Sequence, residues 1–236
     1  MAASYKAERA QWLDFFAPAG LALVHHPRTE DIVARVKQLL AAITPDNADD
    51  TEKSLVVVYE HLVKIWAKEQ NPENSWLAKE LSSLEWIPTI QTPPGPTAAF
   101  QPPEKRFMLP SQVYPARLLH RGASQVAFAG GVREDAQVRQ ALGMPVELTA
   151  EQALAHFQVV RERWEADPLD MDPEAVAIAT RSFYTHVGRL AHRAIQPGGW
   201  QNVTRLAAAK NALADTRGIW DPNSMRFWKG EHCFAE

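Results

Sequence analysis

Leu84-Glu85-Trp86-Ile87-Pro88-Thr89, followed by Phe100-Gln101-Pro102-Pro103 and then by Gln112-Val113-Tyr114-Pro115-Ala116-Arg117-Leu118, divides the chain. It closes one run of helix-period segments, and a second run opens after it. An echo closes that second run: Arg217-Gly218-Ile219-Trp220, then Met225-Arg226-Phe227-Trp228 and Phe234. Two runs that end alike imply two copies of one unit. The expected fold is therefore mainly α, with two stacked helical repeat units, each closed by a small β-hairpin-like element. The first unit is expected over residues 1–131, including a proline-rich loop, and the second over 132–236.

Working outward, Trp12, Leu13, Phe15 and Phe16 suit a short helix over 5–17, stopped by Pro18-Ala19-Gly20. Thr29 reads as an N-cap, with Glu30 and Asp31 on the positive end of the helix dipole. Ile32, Val36, Leu39, Leu40 and Ile43 then form one apolar stripe. A second helix is expected from Asp50 to Glu69, burying Leu55, Val58, Tyr59, Leu62 and Trp66. Asn74 can cap a third, bearing Trp76, Leu77, Leu81 and Leu84. The prolines at 93, 94, 96, 102 and 103 forbid helix. A hairpin with strands near 86–90 and 97–101 is expected there, with another strand within 123–129 and an exposed loop over 91–106. Further helices are expected from Val132 to Leu142, after Thr149, from Pro173 at an N1 position, and after Asn202. Residues 218–228 read as strand, turn, strand.

The copies agree in order. Thr29 answers to Thr149, Tyr59-Glu60-His61 to Tyr184-Thr185-His186, and Trp86-Ile87 to Ile219-Trp220. The chain is 46% hydrophobic over 236 residues, enough for one large core or two small ones. Its formal net charge of −3 argues against a protein that coats nucleic acid along its whole surface. The charge is uneven, however: −4 over 1–103, +3 over 104–140, −6 over 141–180 and +4 over 181–236. The single cysteine, Cys233, excludes an internal disulfide framework. No signal core and no membrane-length apolar run is present, so a cytoplasmic protein is expected.

With Trp86, Ile87, Pro88, Phe100, Pro103, Val113 and Tyr114, and weaker matches at Trp220 and Phe234, the chain resembles the helical repeat regions of sacsin-like proteins. Those proteins combine a GHKL-type (heat-shock-chaperone-like) ATPase module with helical stretches punctuated by Trp-Ile-Pro and Phe-x-x-Pro-x-x-Val-Tyr segments. The resemblance implies a scaffold or client-handling segment with a protein partner, such as a GHKL-type ATPase. The adenine and phosphate motifs of that ATPase are not found, and Gly130-Gly131 and Gly198-Gly199 are isolated pairs rather than a phosphate loop.

No residue pattern marks a catalytic, cofactor or metal site. His25-His26 are adjacent, and His186 and His192 are out of the i, i+4 register that holds zinc. Asp167, Asp170 and Asp172 lie in a loop without the glycine and glutamate of a calcium site. Ser111, Ser124 and Ser182 lack a nucleophile elbow. The function read from the sequence is thus a non-catalytic protein-interaction or scaffold module. The alternative is a nucleic-acid-binding accessory protein using Arg205, Lys210, Arg217, Trp220, Arg226, Trp228 and Lys229, where cations would hold phosphates and tryptophans stack on bases. A hydrolase assembled from dispersed residues is a third class. Nothing in the residues fixes an oligomeric state.

Overall fold

A computed structural model of the chain describes residues 28–194, 196, 207 and 218–228. The expected helix over 5–17, that after Asn202 apart from residue 207, and His25, His26, Cys233 and Phe234 lie outside the described residues. In chain order the elements are α1 (Thr29–Ala41), α2 (Ala48–Trp66), α3 (Trp76–Ser82), β1 (Ile87–Pro88), β2 (Phe107–Met108), β3 (Val113–Tyr114) and α4 (Leu119–Gly122). Then come β4 (Ala127–Phe128), α5 (Ala136–Ala141), α6 (Ala150–Ala166), α7 (Pro173–Ala194), β5 (Ile219–Asp221) and β6 (Arg226–Trp228). The described chain is mainly helical, with small two-stranded elements.

Two compact units emerge, and they do not follow the linear division after residue 131. The first comprises 28–89, Lys105–Val113 and Ala129–Met144. The second comprises Ile90–Glu104, Tyr114–Phe128 and the described residues from Pro145 onward. Helix α5, expected to open the second unit, therefore belongs to the first. The reason is apolar: Val138, Ala141, Leu142 and Met144 bury in the same cluster as the stripes of α1 and α2.

In unit 1 the helical stripes do what their spacing demands. Leu55, Val58, Tyr59, Leu62 and Trp66 of α2 are all buried, against Ile32, Val33 and Val36 of α1. The caps are shifted by one residue from those read in the sequence. Asp31 accepts the Arg28 amide at 3.2 Å, so Thr29 is the first helical residue rather than the cap. Ser75, not Asn74, caps α3 by accepting the Ala78 amide at 3.1 Å. Trp76, expected on the apolar face, is 48% exposed, whereas Leu77 and Leu81 are buried.

The hairpin after α3 forms, but with a different second strand. Ile87 pairs with Met108 and Pro88 with Phe107, antiparallel. Residues 97–101 are not a strand. Their prolines on either side supply no donors for a ladder, whereas Arg106 offers a carbonyl that the Thr89 amide reaches at 2.9 Å. The Thr89 hydroxyl donates to the same carbonyl at 3.0 Å. Arg106 then clasps α2, donating to Glu52 and to Asp49. Trp86 is fully buried beside this strand pair, its Nε1 donating to the Leu81 carbonyl at 2.9 Å.

Unit 2 is built on α6 and α7. Thr149 caps α6 as read, with Gln152 completing a capping box, and Pro173 opens α7. Phe157 and Phe183 stack at 4.4 Å between ring centres, and the edge of Phe227 from β6 closes on Phe157 at 5.9 Å. Ala98 and Ala99 are buried in this cluster, so the stretch 91–106 is not the uniformly exposed loop expected from its prolines. Strands β5 and β6 pair as expected, Trp220 opposite Phe227. Asp221 shapes the turn between them by accepting the Asn223 amide at 2.9 Å and the Ser224 hydroxyl at 2.6 Å.

Candidate functional site

The β1–β2 strand pair does more than close unit 1. Next to it, Leu40 and Ile43 at the end of α1, Pro45, Leu84 and Phe107 line an open groove of about 700 Å³. Leu40, Ile43 and Leu84 are only half buried, so an apolar floor faces solvent. The rim is charged and already paired. Lys105 holds both carboxylate oxygens of Glu85 at 2.7 Å, and Arg106 is bound to Glu52. A floor of aliphatic and aromatic carbon within a rim of both signs suits an apolar protein segment flanked by charged residues.

The register of this hairpin also changes how the motif is read. Phe107, Pro110, Val113 and Tyr114 have the spacing Phe-x-x-Pro-x-x-Val-Tyr. They stand seven residues beyond Phe100 and Pro103, with which the sequence reading began. Phe107 is the residue that pairs with Pro88 of the Trp-Ile-Pro segment, Pro110 starts a single 3₁₀ turn, and Val113 is buried in the same cluster as Trp86. Phe100 and Pro103 lie instead in the segment 90–104 of unit 2. The strand at Phe107–Met108 follows the proline-dense stretch 93–103.

Of the candidate nucleic-acid contacts, Arg205, Lys210, Arg217 and Lys229 lie outside the described residues. Trp220 is half buried, in edge contact with Trp164 at 5.1 Å between ring centres and tilted on Phe227 at 4.9 Å. It is a packing residue rather than an open stacking face. Arg226 is exposed, and Trp228 is 39% exposed with its Nε1 donating to Ser224.

Sequence reading missed one pair. Ser124, dismissed for want of an elbow, sits 2.8 Å from Nδ1 of His156 on α6. The Ser124 amide also donates to that nitrogen at 3.3 Å, which makes Nδ1 an acceptor and puts the ring proton on Nε2. Burial pushes the His156 pKa down to about 4. A base that weak does little to activate a hydroxyl at neutral pH. The pair fastens the turn after α4 to α6.

The loop aspartates are taken up by local hydrogen bonds and an ion pair. Asp167 and Asp172 accept the amides of Leu169 and Glu174, and Asp170 pairs with Arg163 at 2.7 Å. Among the described residues no group of three or more His, Cys, Asp or Glu is gathered to hold a metal, and no helix is long and apolar enough to cross a membrane. Tyr59 is wholly buried, and burial pushes its hydroxyl up to about 12. In the second Tyr-x-His the roles differ: Tyr184 reaches the Gly218 carbonyl, while His186 is the buried member.

Comparison with protein-family models, with curated proteins and with solved structures yields no match.

Proposed function

We propose that the chain is a non-catalytic protein-interaction module, of the type its likeness to sacsin-like helical repeats implies, and that it holds an apolar segment of a partner protein in the groove of unit 1. The observation that carries this is the half-buried apolar floor of Leu40, Ile43 and Leu84 beside the Trp-Ile-Pro strand. The spacing of Phe107, Pro110, Val113 and Tyr114 adds support, because Phe107, which lines the groove, is also the residue that pairs with Pro88 of the Trp-Ile-Pro segment. A GHKL-type ATPase module is the proposed partner, and the cytoplasm the proposed setting.

Internal duplication belongs to the same proposal. Tyr59 and Tyr184 stand 125 residues apart, and at that offset Thr51, Leu55 and Val58 of α2 answer to Val176, Thr180 and Phe183 of α7. All six are buried. Each run of helices is followed by a short antiparallel pair that carries or adjoins a tryptophan. Stacking of the two copies as repeats is the arrangement this proposal entails.

Titration with the purified ATPase module of a sacsin-like protein from the same organism tests the reading. Leu84→Glu should weaken binding by about tenfold or more, since a carboxylate would be desolvated against an apolar segment. Leu84 is half exposed, so the variant should keep its far-ultraviolet dichroism. Equal binding by the two proteins would contradict the groove. Binding instead to single-stranded nucleic acid, lost steeply with salt, would favour the alternative function.

A further inference from the structure

Unit 2 gathers positive charge from two stretches far apart in the sequence. Arg117 precedes α4 and Arg121 lies within it, while Arg189 and Arg193 sit in the last turns of α7. Arg121, His186, Arg189 and Arg193 line one narrow cleft above Leu118 and Leu148, and among the described residues the one carboxylate on its wall is Glu147. Arg193 holds both oxygens of that carboxylate, at 2.9 and 3.1 Å. Neither Arg121 nor Arg189 has a hydrogen bond or ion pair among the described residues. Their crowding is felt: burial, then Arg189 and Arg117, lower the pKa of Arg121. His186 is 6% exposed, and its Nε2 is buried without a hydrogen-bond partner.

Such a set is unbalanced. Guanidinium groups brought together around one carboxylate repel, and a buried imidazole nitrogen without a partner forfeits a hydrogen bond. Both are relieved by a compact anion with several acceptor oxygens. The space left in the cleft is about 10 Å³, roughly the room of one water. A larger anion enters only by taking the place of Glu147. That exchange is cheap, because Glu147 and Arg193 are about half exposed and an exposed ion pair contributes little.

We propose that this cleft binds a dianionic phosphoryl group, which displaces the Glu147 carboxylate from Arg193 and accepts hydrogen bonds from Arg121, Arg189 and His186. Glu147 then acts as an internal occupant that sets the affinity. Guanidinium forks suit this ligand better than a point charge would, since each presents paired donors to phosphate oxygens. The site is independent of the groove in unit 1, and its failure would leave the protein-interaction reading untouched.

Calorimetric titration of the full chain at low ionic strength tests the site, with inorganic phosphate in one arm and phenyl phosphate in the other. Saturable binding of at least one is expected, and preference for the ester would identify a phosphorylated ligand rather than free phosphate. Arg189→Gln should weaken binding by about tenfold, the loss of one charge-assisted contact. Arg189 is exposed, so this variant serves should Arg121→Gln fail to fold. Glu147→Gln should tighten binding severalfold, an effect that a merely structural ion pair would not produce. No binding in either arm, binding indifferent to both substitutions, or binding of single-stranded DNA alone would each overturn the proposal.

Discussion

Trp86→Ala is expected to destabilise unit 1 by roughly 3–5 kcal/mol in urea melts, the largest effect of any single truncation considered. Three contributions act together. The indole is wholly buried, so its removal leaves a cavity among Tyr59, Leu81 and Ile87 that packed helices cannot collapse to fill. Its ring lies 6.3 Å from that of Tyr59, tilted by 43°, and that contact is lost. The Leu81 carbonyl loses the donor it holds at 2.9 Å, at the point where α3 hands over to β1. Trp220→Ala should cost less, roughly 2 kcal/mol or below, because Trp220 is only half buried at the edge of its cluster. Equal and small losses at both positions would mean that the tryptophans do not close their units.

The second large effect is on acid stability. Burial holds the folded pKa of His156 near 4, with the backbone of His120 acting in the opposite direction. In the unfolded chain the imidazole returns to about 6.5. Between these values the unfolded chain binds a proton that the folded protein refuses, so stability falls as pH drops through that window and is level above it. The loss should reach roughly 3 kcal/mol by pH 4. His186, lowered by burial and then by Arg121, acts in the same direction. Unfolding free energies at neutral pH and near pH 4.5 should therefore differ far more in the wild type than in His156→Gln, whose amide can still accept from Ser124. Parallel pH profiles would show that His156 is not held neutral in the fold.

How far the sequence disclosed this architecture depends on the range of the interactions. The stripe Leu55, Val58, Tyr59, Leu62, Trp66 was readable because helix periodicity is local, and the same holds for the cap at Thr149 and the first-turn proline at Pro173. The turn at Asp221 was readable because a short polar stretch between aromatics has few other uses. The partner of β1 was not. Choosing between 97–101 and 107–108 depends on which segment is held beside α2, and Arg106 decides it, its carbonyl accepting the Thr89 amide while its guanidinium donates to Glu52, across 54 residues. Helix α5 carried an unambiguous helical pattern and still joined the other unit, since periodicity names a buried face but not what covers it. The candidate sites lay furthest from view. Ser124 and His156 are 32 residues apart, and the arginines of α4 and α7 meet only once α7 has folded back. Charge summed along the chain flagged 104–140 and 181–236 as basic, which was the one trace of that cluster.

The most direct test of the central claim is amide hydrogen exchange of the chain with and without the proposed ATPase partner, followed peptide by peptide. The account predicts slowed exchange confined to 40–48, 83–85 and 105–107, the segments that carry the groove. Protection over 218–228 with the groove segments unchanged would contradict it.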